Sequence, residues 1–364
     1  MKIVHLTDSM EMGGAEKLIS QLCRWQRQQG HDPSVHCLYQ VGVLGEELRA
    51  DGFEVVSHEK SSPGGRAASV FRELKDCAPE VVHCHNATAA ILGAIPARLA
   101  GARSVIVTRH GIVAPPYALR RELKFALASR WCDWIVAVCD GARNNLMAAP
   151  FAARQKVVRI YNGTIVPHGN GRKPLSKSGF TLLHVGRLSA AKDQETLLRS
   201  FAIAKTQTPD LRLWVVGGGS LQAKLESLAC RIGLNGSVTF FGEQADVSRF
   251  LAAADLFVLS SVTEGIPVSL LEALGAGVPA VVTDVGGMSE IAQLSCATMT
   301  VPPSSPAALA AAIEKMVQSR SQLRGLGKIA QECFAVNFTL DRMANEYMTL
   351  YRRARNISRD RMNA

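Results

Sequence analysis

Residues 256–284 read LFVLSSVTEGIPVSLLEALGAGVPAVVTD. LFVLSS (256–261) and AVVTD (280–284) are short, nearly continuous apolar runs, the pattern of strands buried on both faces. Between them Pro267 suits the first residue of a helix, where its fixed φ is favourable and its missing N–H costs nothing. Strand, helix and strand in that order predict an α/β fold with a parallel sheet.

The alternation extends over nearly the whole chain. Upstream, IVHLT (3–7), VVHCH (81–85), SVIVT (104–108), WIVAV (134–138) and VVRIYN (157–162) read as strands. A second series comprises FTLLHVG (180–186), LRLWVVGG (211–218), VTFFG (238–242), the two runs already quoted, and ATMTV (297–301). Between the series, PHGNGRKPLSKSG (167–179) has no apolar period and reads as a linker. A chain of 364 residues exceeds what one core usually organises, so residues 1–166 and 180–339 are expected to form two doubly wound, Rossmann-like domains. FTLDRMANEYMTLYRRARN (338–356) predicts a helix with apolar positions at Met343, Tyr347, Leu350 and Tyr351, and the polar residues beyond it are expected to fray.

Composition narrows the function. With 47% hydrophobic and 20% charged residues the chain is expected to fold. No apolar run is long enough to span a bilayer, and the N-terminus enters a strand without a signal-peptide pattern, so a cytoplasmic or membrane-peripheral protein is expected. Nine cysteines without a CxxC pair suit reduced thiols. In the cluster His83-Cys84-His85 only the two histidines share a strand face; no third ligand is evident, and no metal site is expected. The net charge of +10 points to an anionic partner. Nucleic acid is not expected, since aromatics are 6% and no nucleic-acid-binding signature is present. Phosphates on a small ligand, or an anionic membrane surface, remain.

Ligands of open α/β sheets bind beyond the carboxyl ends of the strands, so the segments that follow strands carry the candidates. Gly13 and Gly14 follow the first strand and precede a helix; they suit either close approach of a ligand to backbone N–H groups or a tight turn. In HVGRLSAAKDQETLL (184–198), Arg187 and Lys192 precede a helix capped by Asp193, and read either as diphosphate ligands or as solvated cations. Gly217 and Gly218 in VVGGGS (215–220) allow close approach by a ligand or serve a turn. In the opening stretch, Glu264 lies in the loop before the helix and Glu272 within it. The loop through Gly265, Ile266, Pro267 and Val268 aims N–H groups outward. A buried carboxylate requires donors, which ribose and sugar hydroxyls supply; alternatively Glu272 is exposed and Glu264 complements the helix dipole.

Together GRLSAAK, VVGGG and EGIPVSLLEALGAGVPAVVTDVGG resemble the pattern of glycosyltransferase family 4, of the GT-B fold, with its E-x7-E signature at Glu264 and Glu272. GGAEKLI near the N-terminus, TRHG (108–111) and IYNG (160–163) extend the resemblance over nearly the whole chain. It implies two domains facing a central cleft, with residues 340–364 crossing back to the first. It further implies a retaining, metal-independent transferase without a cofactor, acting on a nucleoside diphosphate sugar, UDP favoured. Arg187 and Lys192 would hold and stabilise the leaving diphosphate, Glu272 the ribose and Glu264 the donor sugar. His110 would lie near the donor sugar and acceptor, and Gly13 and Gly14 would face the phosphates. Ile266 departs from the family's frequent Phe, which bears on sugar fit rather than on activity.

The acceptor is expected to be a glycan or a lipid-linked hydroxyl of cell-envelope or exopolysaccharide synthesis. YALRRELKFALASRW (117–131) places Arg120, Arg121 and Lys124 among leucines, and reads as either a domain helix with a cationic outer face or a membrane-surface element. A nucleotide-sugar epimerase and a non-catalytic nucleotide-sugar-binding subunit are the competing expectations.

Overall fold

The computed structural model describes all residues except 60–61, 113–118, 150–152, 167–174 and 363–364. Most of the segment expected as a linker, 167–174, therefore lies outside the described residues, as does the end of the expected frayed tail. Two compact units form, one from Met1–Gly163 with Leu340–Ala364, the other from Thr164–Thr339.

In chain order the first unit contains β1 (Lys2–Thr7), α1 (Gly14–Gln28), β2 (Asp32–Cys37), α2 (Gly42–Ala50), β3 (Val55–Ser57), α3 (Pro63–Cys77), β4 (Val81–His85), α4 (Asn86–Leu99), β5 (Ser104–Arg109), α5 (Leu119–Ser129), β6 (Trp134–Ala137), α6 (Asp140–Ala148) and β7 (Val157–Arg159). Its strands lie side by side as β3-β2-β1-β4-β5-β6-β7, parallel throughout. The sequence pattern marked every one of these strands except β2 and β3. β2 opens with Asp32-Pro33, poor strand formers, and β3 has only three residues. Pro33 is tolerated because β3 pairs only with Val35–Cys37, so no ladder bond is lost at the proline.

The second unit contains β8 (Thr181–Val185), α7 (Gln194–Gln207), β9 (Arg212–Val216), α8 (Gln222–Arg231), β10 (Val238–Phe240), α9 (Ser248–Leu251), β11 (Leu256–Leu259), α10 (Val268–Gly275), β12 (Ala280–Thr283), α11 (Gly287–Leu294), β13 (Thr298–Val301), α12 (Pro306–Gln318) and α13 (Leu323–Asn337). The order β10-β9-β8-β11-β12-β13 is again parallel. Leu182, Leu213, Val258 and Val281 form the middle of a core closed by Phe201 of α7 and Ile313 of α12. The chain then returns to the first unit as α14 (Leu340–Met362), whose Met343, Tyr347, Leu350 and Tyr351 are all buried there. Trp25 of α1 fastens the start of that helix by donating its indole N–H to Asp341 at 2.7 Å.

Each sheet reverses its strand order once, between β1 and β4 and between β8 and β11. The segments leaving the carboxyl ends of those strands diverge to opposite faces, which opens a crevice at each reversal.

Candidate functional site

In the second unit, the loops that follow β8 and β11 meet at the reversal. The first continues the ladder past its strand: Gly186 N–H donates to Val216 O at 3.0 Å and Leu188 N–H to Gly218 O at 2.8 Å. Gly217 has φ +135°, and a Cβ there would stand 2.1 Å from the Gly186 carbonyl oxygen. That glycine is therefore needed to let two backbones approach, the turn requirement anticipated for VVGGGS. Gly218 faces ordinary space, its nearest neighbour being Glu243.

The loop next makes a short 3₁₀ turn at Ala190–Lys192 and reaches Asp193, which adopts φ 45° and ψ 50° and caps α7 by accepting from Thr196 N–H at 3.3 Å. A left-handed non-glycine residue needs support. Ser260 supplies it, its hydroxyl directed at the carbonyls of Lys192 and Asp193 at 2.9 and 2.8 Å. From beneath, His184 donates through Nδ1 to Val258 O at 3.0 Å, which leaves its Nε2 to accept from Gln194. The same Gln194 amide donates to Arg187 O at 2.9 Å. Burial holds His184 neutral, its pKa lowered to about 4. Neither His184 nor Gln194 stands out in the sequence, yet both hold the segment that carries Arg187 and Lys192.

Lys192 Nζ forms an ion pair with Glu264, whose same oxygen accepts from Ser261 Oγ at 2.8 Å. Arg187 projects its side chain at the exposed surface of the loop. Gly265 is anchored from the far side, its carbonyl accepting from Gly287 N–H at 2.8 Å. Pro267 proves to be the cap residue, with φ −67° and ψ 126°, and α10 starts at Val268, one residue later than expected. An extended ψ at the residue before the helix explains the offset, because the first helical bonds run from Leu270 and Leu271 back to Pro267 O. Glu272 is only 3% exposed, so it is not the solvated helix residue of the alternative reading. Leu270, Leu271, Ala273 and Leu274 are fully buried around it, and the Ile266 side chain is buried too.

The first unit presents a different chemistry at its reversal. His5 of β1 pairs in register with His83 of β4, and His85 lies two residues on, on the same face. The strand register thus brings a third imidazole to the two histidines of HCH, correcting the expectation that none was at hand. One nitrogen from each lies within 4.8 Å of the others. All six ring nitrogens are nevertheless engaged in hydrogen bonds. His83 bonds to Tyr351 Oη at 2.8 Å and Thr108 Oγ1 at 2.7 Å; His5 to Gln26 Oε1 at 2.9 Å and His85 Nε2 at 3.0 Å; His85 Nδ1 to His110 Nε2 at 3.0 Å. The tyrosines Tyr347 and Tyr351, expected only as apolar positions, thus also direct hydroxyls at Thr108 and His83. Burial drives His5 and His110 down to about 4, and puts His83 and His85 well below the usual imidazole range, with the neighbouring imidazoles adding to the effect.

His110 follows β5, its backbone N–H donating to Asn86 Oδ1 at 3.1 Å, and Asn86 opens α4 in a left-handed conformation with φ 67°. Gly13 caps α1 in an extended conformation and Gly14 begins the helix. Asp8, just past β1, was not singled out in the sequence. Its carboxyl lies near Arg121 and Thr88, and burial raises its pKa, opposed by both of those neighbours.

α5 is held by a paired fork: Arg109, at the end of β5, donates to both oxygens of Glu122 at 3.2 and 3.3 Å and lies over the Phe125 ring. Phe125, Ala126, Ala128 and Ser129 consequently face inward. Leu119, Leu123, Leu127 and Trp131 face outward, exposed by 57%, 40%, 59% and 45%. Arg120, Arg121 and Lys124 are exposed beside them, with Arg121 reaching back to Thr88 Oγ1 at 3.3 Å. No described helix is long and apolar enough to cross a membrane.

Two family profiles match the chain. The one described as "Glycosyltransferase Family 4" spans residues 12–166, and "Glycosyl transferases group 1" spans 171–332. EpsD of Bacillus subtilis (strain 168), a glycosyltransferase by name, is 26% identical over 78% of this chain and 80% of its own length. The UDP-Gal:alpha-D-GlcNAc-diphosphoundecaprenol alpha-1,3-galactosyltransferase of Escherichia coli is 28% identical over 60% of this chain and 61% of its own. Among solved structures, HepE of Anabaena in complex with UDP and glucose superimposes with a TM-score of 0.83 at 20% identity, covering 96% of this chain and 98% of HepE.

Proposed function

The chain belongs to the family 4 glycosyltransferases, of GT-B fold, and from that premise we propose that it is a retaining enzyme. It moves a sugar from a nucleoside diphosphate sugar, with UDP favoured, to a hydroxyl of a glycan or lipid-linked acceptor in cell-envelope or exopolysaccharide synthesis. The observation that carries this reading is the arrangement at the β8/β11 reversal, where Lys192 is paired with Glu264 and Glu272 is buried in the helix that follows. The UDP bound to HepE and the diphosphoundecaprenol-linked acceptor in the name of the E. coli relative support the donor and acceptor classes.

In this reading the bond from the anomeric carbon to the diphosphate breaks, a bond from that carbon to the acceptor oxygen forms on the same face, and the acceptor proton leaves with the phosphate. Arg187 and Lys192 stabilise the charge that develops on the leaving diphosphate, without a metal or other cofactor. Glu272 accepts from the ribose hydroxyls and Glu264 from the sugar. The backbone from Gly265 to Val268 and the glycines Gly217 and Gly218 shape the donor site in the second unit; in the first unit, Gly13, Gly14 and His110 are read as substrate contacts. The outward face of α5, with Arg120, Arg121 and Lys124 beside exposed leucines, rests on an anionic membrane surface at the inner face.

The first test is thermal unfolding with UDP, GDP, ADP or buffer alone. A ligand at a hundred times its dissociation constant adds about 2.7 kcal/mol to the native state. UDP is expected to raise the midpoint most; a response to none of the three diphosphates counts against the donor assignment. Incubation of a UDP-sugar with a lipid-linked acceptor in excess chelator, followed by NMR of the anomeric proton, then reads both retention and metal independence. An inverted product removes the retaining mechanism.

A further inference from the structure

The imidazoles of His5, His85 and His110 form a single file that begins at Gln26 and ends at His110 Nδ1. The two ring-to-ring links join nitrogens at 3.0 Å, and the file starts where His5 Nε2 meets Gln26 Oε1 at 2.9 Å. A neutral imidazole has one N–H and one lone pair, so a link conducts only when one partner donates and the other accepts. In a file of neutral rings every link must therefore point the same way. Gln26 Oε1 can only accept, so His5 carries its proton on Nε2 and offers a lone pair at Nδ1. His85 must then donate from Nε2 and accept at Nδ1. His110 must donate from Nε2 to His85, which leaves its Nδ1 with a lone pair. That atom is buried and has no hydrogen-bond partner among the described residues.

We propose that Gln26, His5 and His85 are positioning residues that fix the tautomer of His110, so that its Nδ1 is an uncharged acceptor for a hydroxyl of the sugar substrate. This rests on the reading of His110 as a substrate contact, whereas the tautomer order itself does not. The file cannot carry a proton away. A proton accepted at His110 Nδ1 could move along the rings only as far as the Gln26 amide, which does not take it up. Burial opposes a charge on each ring, and at His85 the neighbouring imidazoles add to that effect. His110 therefore orients a hydroxyl and does not act as a general base, which suits a reaction in which the acceptor proton leaves with the phosphate. His83 stands aside from the file, both its nitrogens taken by Tyr351 and Thr108, and braces the stack at 4.1 Å from the His85 ring.

The experiment is two-bond proton–nitrogen correlation of the ¹⁵N-labelled histidine rings in the full chain at pH 7.5. His5, His85 and His110 are expected to be neutral with the proton on Nε2. A proton on His110 Nδ1, or an imidazolium at that ring, overturns the proposal without any variant being made. The Gln26→Glu variant keeps an acceptor on His5 and is expected to retain the proton on Nε2 of His5, His85 and His110. Gln26→Met removes it; His110 is expected to show mixed tautomers, and turnover with the UDP-sugar and acceptor to fall on the order of tenfold. Mixed tautomers with unchanged turnover would remove His110 from substrate contact and overturn the proposal. An ordered file in a chain that binds no nucleoside diphosphate would instead count against the transferase reading and leave the tautomer order standing.

Discussion

Lys192 and Glu264, 72 residues apart in sequence, form an ion pair in which Ser261 donates to the same carboxylate oxygen. The lysine arrives on the loop after β8 and the glutamate on the loop after β11, so the pair ties the two edges of the crevice. Each group lends the other a counter-charge where both are largely withdrawn from water. On the proposed reading, a diphosphate entering there would meet a cation already oriented by its partner.

Lys192→Ala is accordingly expected to abolish the stabilisation by UDP and to lower kcat on the order of 10²–10³, the range for losing one donor to a developing anion. Lys192→Arg is expected not to restore it, since a planar fork does not replace a compact ammonium paired with one oxygen. Thermal shift and steady-state kinetics check both; wild-type turnover in the alanine variant would remove Lys192 from the chemistry.

Acid should destabilise the fold in a particular window. His5, His110 and His184 are held near pKa 4 and His36 near 3, all by burial, whereas free imidazole titrates near 6.5. The unfolded chain thus takes up protons that the folded chain refuses. Stability is full above pH 6.5 and is lost as pH falls from about 6.5 toward 4, by up to about 1.4 kcal/mol per pH unit for each such histidine. Urea unfolding at pH 7.5, 6.5 and 5.5 should show the steep loss between the last two; a loss confined below pH 5 would point to carboxylates instead.

Arg109→Met should unfold the first unit more readily than its exposure suggests. It strands Glu122, itself mostly buried, and a broken buried pair typically costs 3–5 kcal/mol. The double variant Arg109→Met/Glu122→Met is expected to recover most of that loss in the same urea titration. Equal losses in single and double variants would show that stacking on Phe125, not charge, is what matters.

The α5 surface makes a separable prediction. Arg120→Glu with Lys124→Glu is expected to reduce binding to vesicles containing anionic lipid by at least thirtyfold at low salt, from about 1 kcal/mol for each lost cation. Leu123→Ser should weaken binding at every salt concentration. Wild-type protein that stays in the supernatant with such vesicles would leave the helix as an ordinary domain face.

How much of this was legible beforehand follows from range. Strands such as VVHCH and AVVTD announce themselves because consecutive residues carry the pattern, and both series of strands placed Arg187, Lys192, Glu264 and His110 at carboxyl ends. β2 was missed because its first residues are Asp and Pro and its burial comes from neighbours. What the pattern could not deliver was register. That His83 and His85 share a face is a local fact, but that His5 lies opposite them depends on which strands pair and at what offset. The same holds for His184 under Gln194 and for Arg109 on Glu122, whose meaning exists only between elements.

The path of α14 bears on the order in which a ribosome releases finished parts. The second unit is continuous from Thr164 to Thr339, whereas the first waits for Leu340 onward before Thr108 and His83 receive the hydroxyls of Tyr347 and Tyr351. The half that emerges first is therefore the last to be completed. A nascent chain interrupted anywhere in the second unit leaves those polar groups in a half-built interior, a mark by which proteolysis can tell an abandoned polypeptide from a finished one.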